Sequence, residues 1–537
     1  MMKKVIKKLL AALLAVAMLC AMAIPAFASE SWETEEDLGK NHCYDAFQIF
    51  KGDVSDDNTK ISHVEWGKNI PHPEDFLEKL TEVPTIGGEF ETNFTAQEAA
   101  AVISKWHDSD NNSIAFARFV CNYIYTDSNA DSVPVLQGGH TNGFKLEEAG
   151  YYLIVDTSSF SSSADGDSYH AYNSFLLKVN KDHYHVQITP KVVKPTVEKE
   201  VYDNDDGSSS GDNNGWGSSA DHAINEEFQF RLIAKLPASE KGRAYDYYNE
   251  YAVLFNDTLS NGITYDRLDS VVIESKGISY DIPKDSLKYK VDVRNDNSFV
   301  VSIPDVKTCV EDLGFNLNNG ATITVTYTAH LNENAAVNGS AENKNSVRLQ
   351  YSNNPRPDGE YWGYTPTPES EVYVYTYQLN NTKRAETENG TPLPGAVFQL
   401  YSDADCKNEV KLYQDGEFYY PIKNATGKEA VEMKSAANGQ FNVKGLDAGT
   451  YYLRETTPPA GYSACPDTTI VISATHDGNR VNLESSKLYT TIINNKAGGI
   501  TLPSTGGIGT TLFYVVGGGL MVAAIVLLVT KKRMENK

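Results

Sequence analysis

Residue types that could bind a metal or catalyse a reaction are present, but they are rarely spaced for it. Asp108, Asp110 and Asn112 stand two apart, as the first oxygen ligands of a calcium-binding loop do. Ser113 then occupies the position that requires glycine, and Phe119 the position that requires a bidentate glutamate. The 11 histidines show no zinc spacing, and no Ser-His-Asp or Cys-His constellation stands out. We therefore predict no metal, no cofactor and no catalytic cleft for an external substrate.

A second pattern, at the C-terminus, suggests that an enzyme modifies this chain. A short motif precedes an almost uncharged stretch at 512–529 and a basic tail; the motif is Leu502, Pro503, Ser504, Thr505 and Gly506. About 18 apolar residues just reach across a bilayer, and a basic tail stays cytoplasmic. An ordinary membrane anchor would leave the motif unexplained.

The order of motif, apolar span and basic tail at 499–537 resembles the cell-wall sorting signal of Gram-positive bacteria. In that family a sortase cysteine attacks the Thr-Gly peptide bond. The resemblance implies that the carbonyl carbon of Thr505 becomes the acyl donor, that the chain after it is discarded, and that peptidoglycan is one acceptor.

The N-terminus predicts export. Residues 1–28 contain four early lysines, an apolar stretch at 9–24 and the small-x-small sequence Ala26-Phe27-Ala28, which together are typical of a secretory signal peptide. The whole chain has a formal charge of −24, and removing its two basic ends leaves the mature part more acidic still. Such a surface argues against nucleic acid as a partner.

The mature sequence predicts a mainly β fold. Alternating runs at 152–155, 289–293 and 322–327 between Gly, Asn and Asp turns are typical of β-sandwich strands. Helical patterns are few, and the clearest lie in the first domain, at about 74–80, 96–106 and 114–125, with Ser113 as the N-cap of the last.

Proline-bracketed breaks divide the chain into a signal peptide and four further parts, namely 29–190, 191–377, 378–498 and the sorting signal at 499–537. We expect three tandem β-sandwich domains of immunoglobulin-like or collagen-adhesin type.

The cysteines allow two intradomain disulfides. Cys43 and Cys121 share the first domain, Cys309 is alone in the second, and Cys406 and Cys465 share the third. Parity predicts two bridges and one free thiol, with Cys406–Cys465 the favoured bridge. The alternative is five buried thiols.

The third domain resembles the collagen-adhesin B-type domain, which forms an internal Lys-Asn isopeptide bond. The resemblance is carried by 379–383, 391–401, 449–462 and 491–496. It implies Lys383 as the nucleophile, Asn494 as the electrophile and Glu455 as the catalytic acid and base, with Asn495 as the alternative electrophile. The chemistry requires burial, because a lysine attacks an amide only as the neutral amine, and a protonated glutamic acid can donate to the amide carbonyl and carry the proton that leaves with ammonia.

The second domain resembles the middle domain of backbone pilins, in which an aspartate replaces the catalytic glutamate. The matching segments are 194–201, 251–262 and 345–355. The resemblance implies the triad Lys199, Asp257 and Asn345. Asn343 remains a competitor, because it lies two residues away on the same strand face. Both bonds are expected to join the first strand of a sandwich to the last.

The segment 184–191 resembles the pilin motif, although Thr189 stands before the proline where the family has tyrosine. The family's motif lysine resolves the sortase thioester of another subunit, which implies Lys191 as acceptor, with Lys194 as the alternative. Segments 42–53 and 147–154 look like the N-terminal domain of fimbrial shaft subunits.

The sequence thus predicts a structural pilus subunit whose only catalysis is on itself. The expected partners are a class C type sortase, identical subunits in a head-to-tail fibre, ancillary pilins and peptidoglycan. The alternative is a wall-anchored ancillary pilin or adhesin that binds a host surface ligand.

Overall fold

The computed structural model describes residues 43–56, 60–107, 110–140, 144–156, 174–179, 185–186, 194–203, 215–239, 243–340, 342–352, 364–497 and 508–535. The signal peptide, Asp108, Lys191 and the sorting motif at 502–506 lie outside these residues. The described chain is mainly β, which confirms the predicted fold class.

The described part of the N-terminal region combines a five-stranded sheet, a two-stranded sheet and three helices. Its elements are β1 (Cys43–Val54), β2 (Ile61–Trp66), α1 (Pro73–Thr81), a 3-10 turn (Gly87–Glu89), α2 (Ala96–Ile103), α3 (Asn111–Thr126), β3 (Leu136–His140), β4 (Phe144–Lys145), β5 (Gly150–Asp156), β6 (Ser174–Val179) and β7 (His185–Val186). The sheet has the order β2-β1-β5-β6, with β3 also on β1, and β4 pairs with β7. The helices bury apolar faces against it, as Phe76, Leu77 and Leu80 of α1 do.

All three predicted helices are present, but one N-cap prediction is wrong. Helix α3 begins at Asn111, so Ser113 lies inside its first turn and donates a hydrogen bond to the His107 carbonyl, 2.8 Å away. Asp110 holds the extended backbone of the N-cap instead, while its carboxylate accepts from the His107 N–H. Helix α2 begins with a capping box between Thr95 and Glu98.

The middle region is a two-sheet sandwich. Its elements are β8 (Thr196–Tyr202), β9 (Trp216–Gly217), β10 (Ser219–Asp221), β11 (Glu227–Leu236), a 3-10 turn (Ala244–Tyr247), β12 (Val253–Leu259), β13 (Ile263–Ser275), β14 (Ile278–Asp281), β15 (Lys290–Val293), β16 (Ser298–Ile303), α4 (Val306–Glu311), a 3-10 turn (Leu317–Asn319), β17 (Ala321–Leu331), β18 (Asn343–Ser352), β19 (Tyr364–Pro366) and β20 (Ser370–Tyr375). One sheet has the order β14-β13-β17-β11-β8-β9; the other has β10-β20-β18-β12-β16-β15, with β19 on β18. Every second residue of β11 is buried, as strand alternation predicts.

The C-terminal region is a smaller two-sheet sandwich. Its elements are β21 (Tyr377–Ala385), β22 (Val397–Tyr401), β23 (Leu412–Asp415), β24 (Phe418–Pro421), β25 (Met433–Lys434), β26 (Asn442–Leu446), β27 (Gly449–Thr457), β28 (Thr468–Ile472), β29 (Ala474–Asp477), β30 (Arg480–Leu483), a 3-10 turn (Ser485–Leu488) and β31 (Tyr489–Asn494). The sheets have the orders β23-β24-β26-β21-β31 and β25-β22-β27-β28, and β29 pairs with β30. The first strand, β21, is parallel to the last, β31.

The chain passes from the middle sandwich to the C-terminal one at Thr376, which separates β20 from β21. A final helix, α5 (Ile508–Glu535), contains the apolar stretch that follows the sorting motif. Over the part of the chain that the structure describes, no helix meets both the length and the apolarity needed to cross a membrane.

Candidate isopeptide-forming sites

The C-terminal site is built from both sheets of its sandwich. Lys383 lies on β21 and Asn494 on its parallel neighbour β31, where Asn494 pairs with Ala385. Alternate residues of a strand share a face, so both side chains point into the core. Glu455 reaches the same place from β27 of the opposite sheet. All three are buried, with Lys383 0% and Asn494 1% exposed.

The three polar groups of this site contact one another directly. The Lys383 Nζ donates to Asn494 Oδ1 and lies 3.1 Å from Glu455 Oε1. Asn494 Nδ2 donates to both carboxyl oxygens of Glu455, at 3.0 and 2.9 Å. We predicted that Glu455 donates to the carbonyl of the asparagine; in the structure it faces the amide nitrogen instead. That is the atom that must take up a proton to leave as ammonia.

An aromatic ring and a cysteine enclose the C-terminal site. The Lys383 Nζ lies 5.2 Å from the centroid of Phe398, whose ring stacks on Phe441 at 4.3 Å. The Cys465 N–H donates to Glu455 Oε2 at 2.9 Å, and its Sγ lies 3.6 Å from the lysine Nζ. Burial raises the pKa of the Cys465 thiol, which therefore stays protonated.

The favoured disulfide prediction is wrong, because Cys406 and Cys465 are both free thiols. The Cys406 Sγ is directed at the carboxylate of Asp467, 3.9 Å away, whereas Cys465 is turned to Lys383. Cys309 is also a free, buried thiol, as parity predicted. The side chain of Cys43 lies outside the described residues, so its pairing with Cys121 stays a prediction.

The competing electrophile Asn495 faces away from the C-terminal site. It is exposed, and its backbone carbonyl accepts from the Ser463 N–H at 3.0 Å. The geometry therefore favours Asn494.

The middle site has the same three residue types in a different arrangement. Asp257 on β12 and Asn345 on β18 lie on adjacent strands of one sheet, where Asn345 pairs with Leu259. Lys199 approaches from β8 in the opposite sheet. All three are buried, with Asn345 0% exposed.

A fourth residue, Tyr327 on β17, lies between these groups. Its hydroxyl accepts from Lys199 Nζ at 3.0 Å and from Asn345 Nδ2 at 2.6 Å, and it donates to Asp257 Oδ1 at 3.2 Å. Lys199 Nζ also donates to Asp257 Oδ2. Sequence reasoning missed Tyr327, although it occupies an inward position of the alternating run at 322–327 and is the only residue there that combines a large apolar ring with a hydroxyl.

The electrostatics of the middle site favour neutral groups. Burial lowers the pKa of Lys199 to about 8 and raises the pKa of Asp257, so that both shifts disfavour the charged pair. Burial also holds the pKa of Tyr327 well above its usual range, so its hydroxyl keeps its proton. A neutral amine is the form that can attack an amide.

The competing residue Asn343 is fully occupied by backbone groups. Its Nδ2 donates to the carbonyls of Ala336 and Val374, both at 2.9 Å, and its Oδ1 accepts from the Ala336 N–H at 2.8 Å. In contrast, Asn345 Oδ1 is buried without a hydrogen-bond partner in the described part of the chain. The geometry favours Asn345 as the electrophile.

One topological expectation needs correction. We expected the middle bond to join the first and last strands, but β19 and β20 follow β18 within the same sheet. The reason is that the chain makes an extra return along the sheet before it enters the C-terminal region.

Two groups of metal-binding residue types meet where the middle and C-terminal sandwiches join. Within each group the ligand atoms lie within 4.8 Å of one another; the groups are Asp203, Asp221 and His476, and His222, Glu226 and Asp447. Their members come from distant parts of the sequence, so no spacing could reveal them. Tyr377 donates to Asp221 at 2.7 Å, and His476 Nδ1 lies 2.9 Å from Ser219 Oγ. These contacts connect the two sandwiches.

The predicted polymerisation residues fall largely outside the described chain. Lys191 and the motif at 502–506 are among the residues not described. Lys194, the alternative acceptor, is exposed and lies two residues before β8.

Three family models match this chain. Residues 225–355 match the Gram-positive pilin backbone subunit 2, Cna-B-like domain; 379–487 match the SpaA prealbumin-like fold domain; and 494–536 match the LPXTG cell wall anchor motif. Each match agrees with the resemblance that the sequence predicted for its segment, and the anchor model supports a secreted, wall-anchored location.

Several solved pilin structures are similar to this chain. The T6 backbone pilin of serotype M6 Streptococcus pyogenes is 17% identical, covers 87% of this chain and 100% of its own, and has a TM-score of 0.48. The full-length major pilin SpaD of Corynebacterium diphtheriae is 18% identical, with 86% and 94% covered and a TM-score of 0.44. The major pilin BcpA of Bacillus cereus is 16% identical, with 65% and 86% covered and a TM-score of 0.40. No curated protein sequence matches the chain.

Proposed function

We propose that this chain, a backbone pilin subunit of a Gram-positive pilus, is polymerised by a class C type sortase that joins Lys191 of one subunit to Thr505 of the next. We further propose that two autocatalytic isopeptide bonds, Lys199–Asn345 and Lys383–Asn494, stabilise each subunit. Peptidoglycan receives the base of the fibre, and ancillary pilins share it.

The observation that carries the internal bonds is the buried contact of Lys383, Asn494 and Glu455. Burying a lysine amine, an amide and a carboxyl group together costs free energy, because all three lose their contacts with water. Replacing such buried groups by apolar residues is often neutral or stabilising, so their presence in a core needs an explanation. Here all three lie in a sandwich core with the amine against the amide carbonyl. A covalent bond explains the arrangement, because it turns the charged amine into a neutral amide.

The expected benefit is resistance to unfolding and to force. Lys383 and Asn494 are 111 residues apart, and closing a loop of about 100 residues contributes roughly 4.7 kcal/mol in the chain-entropy model for cross-links. Because β21 enters and β31 leaves the C-terminal sandwich, a bond between them carries tension across that sandwich without unfolding it.

Two features support head-to-tail polymerisation. The anchor motif contains Thr505, whose carbonyl a sortase would activate as a thioester, and Lys191 of the pilin-like segment lies in sequence between the first and second predicted domains. A donor and an acceptor at different places on one subunit make a heterologous contact, which propagates as an open fibre.

The polymer is tested in the cell wall. Lys191→Ala should abolish the SDS-resistant ladder in wall extracts while leaving a monomeric, wall-anchored protein, and Lys194→Ala should leave the ladder intact. A ladder lost only with Lys194→Ala would move the acceptor to that residue. A ladder that survives both substitutions, or is absent from the wild type, would favour an ancillary pilin or adhesin.

The internal bonds are tested by intact mass. The purified ectodomain should weigh two ammonia molecules less than its sequence, and digestion should yield two branched peptides, one from each site. An unshifted mass would overturn the proposal for both sites.

A further inference from the structure

We propose that Tyr327 is a catalytic residue of the middle site, where its hydroxyl carries the proton between Asp257 and the departing amide nitrogen of Asn345. The inference rests on the proposed Lys199–Asn345 bond and assigns a fourth participant to it.

The first argument is geometric. The Tyr327 oxygen lies 3.0 Å from Lys199 Nζ, which would form the new bond, and 2.6 Å from Asn345 Nδ2, which would leave. A phenol can accept two hydrogen bonds and donate one, and Tyr327 does so here, because its own proton points to Asp257 Oδ1 at 3.2 Å. It therefore touches both reacting nitrogens and the acid.

The second argument is that Asp257 does not serve the leaving nitrogen itself. Among the described residues Asp257 bonds to Lys199 and Tyr327, and Asn345 Nδ2 bonds to the Tyr327 hydroxyl alone. A proton can pass between groups within hydrogen-bond distance. The described contacts therefore lead from the carboxyl group to the amide nitrogen through the tyrosine.

The third argument is that the ring is held in place. Tyr327 stacks on Phe230 at 5.2 Å and meets Phe299 edge-on at 4.9 Å. The Lys199 Nζ lies 5.3 Å from the centroids of both Phe230 and Tyr327. The hydroxyl is fixed beside the amine by packing rather than by solvent.

The step balances as follows. The neutral Lys199 amine attacks Asn345 Cγ and the new C–N bond forms. Tyr327 gives its hydroxyl proton to Nδ2 and recovers one from the protonated Asp257, and the resulting carboxylate takes one proton from the amine nitrogen. The Cγ–Nδ2 bond then breaks, ammonia leaves, and both Asp257 and Tyr327 return to their starting protonation states.

The test follows both bonds in one protein. Ectodomain recovered unfolded and unreacted from inclusion bodies is refolded, and branched peptides from each site are measured over time. Tyr327→Phe keeps the ring contacts and should slow the middle bond by about 100-fold or more, the usual contribution of general acid-base catalysis. The C-terminal bond in the same molecule should form at the wild-type rate.

The matched control is Tyr251→Phe. Tyr251 is another buried tyrosine of this sandwich, and its hydroxyl has no hydrogen-bond partner among the described residues. Its removal should change neither bond. Formation of the middle bond at the wild-type rate in Tyr327→Phe would overturn the inference while leaving the proposed function intact. A wild type that forms only the C-terminal bond would instead overturn the middle bond itself.

A second measurement needs no variant and so does not depend on how Tyr327→Phe folds. The rate of middle-bond formation is measured in mixtures of light and heavy water. If two protons are transferred in the rate-limiting transition state, as in the relay, the rate depends on the deuterium fraction along a curve. A linear dependence, as for one proton, would overturn the relay.

Discussion

The two sites perform the same proposed chemistry with different supports. In the C-terminal sandwich the amine and the amide share one sheet, and the carboxyl group comes from the other. In the middle sandwich the carboxyl group and the amide share one sheet, and the amine comes from the other. Both sites bring an amine, an amide and a carboxyl group together in a buried core, although the strands that supply these groups differ.

The difference follows from one methylene group. The Glu455 side chain is long enough for both of its carboxyl oxygens to accept hydrogen bonds from Asn494 Nδ2, at 3.0 and 2.9 Å. Asp257 is shorter, and the Tyr327 hydroxyl occupies the gap between it and Asn345. At the C-terminal site the ring nearest the amine is Phe398, which has no hydroxyl to offer.

The largest effect is expected when the catalytic acid of either site is replaced by its amide. Glu455→Gln should abolish the C-terminal bond and Asp257→Asn the middle bond, because each amide keeps the shape of the acid but cannot exchange a proton. Each variant should weigh one ammonia more than the wild type, after correction for the substitution, and should lose roughly 4.7 kcal/mol of unfolding free energy. Intact mass and chemical denaturation measure both.

The two variants control for each other, because each should leave the other site's branched peptide unchanged. Loss of both bonds in either variant would mean that the sites do not react independently.

The next effect is the pH dependence of the middle bond. Burial lowers the pKa of Lys199 to about 8, and only the amine without its extra proton attacks. The rate of middle-bond formation should therefore rise about tenfold per pH unit up to about pH 8 and level off above that pH. For a lysine with an ordinary pKa, the rate would continue to rise to about pH 10. Refolding in buffers of different pH, with the branched peptides quantified, measures this profile. A middle-bond rate that continues to climb well above that pH would contradict a buried, neutral amine.

The sequence predicts these sites to different depths. The resemblance to the collagen-adhesin B-type domain names Lys383, Glu455 and Asn494, and all three meet in the core of the structure. Strand alternation then explains why the three side chains point inward. The same alternation cannot choose between Asn343 and Asn345, which share a face; only the backbone contacts of Asn343 separate them.

What the sequence did not reveal depends on contacts between distant segments. Tyr327 reads as one more core aromatic until Asp257 and Asn345 are placed beside it. An even number of cysteines in the third domain suggested a Cys406–Cys465 bridge. The number of cysteines does not tell where each side chain points, and in the structure each thiol faces a different neighbour. The additional strands β19 and β20 were missed because the segment between β18 and β21 has few long alternating runs.

A smaller, partial effect is expected when the carboxyl group of the middle site is lengthened. Asp257→Glu in the Tyr327→Phe background should recover part of the lost rate, about tenfold, because the longer side chain can approach Asn345 Nδ2 as Glu455 approaches Asn494. Full recovery is not expected, since an added methylene in a packed core costs about 1–3 kcal/mol. The refolding time course measures it, with Asp257→Glu alone as the control. A double variant no faster than Tyr327→Phe would show that reach is not what distinguishes the sites.

The smallest effect is expected at Cys465, which lies beside the C-terminal amine. Its backbone N–H donates to Glu455 whatever the side chain, and a serine hydroxyl can replace the thiol as a hydrogen-bond partner of Glu455 and Lys383. Burial raises the pKa of the thiol, so the thiol keeps its proton. Cys465→Ser should therefore leave the rate of the C-terminal bond within about twofold of the wild type. Cys309→Ser is the matched control, because Cys309 is a buried thiol of the other sandwich. A large loss at Cys465 alone would mean that the thiol itself takes part, and the C-terminal site would then have a fourth participant as the middle site does.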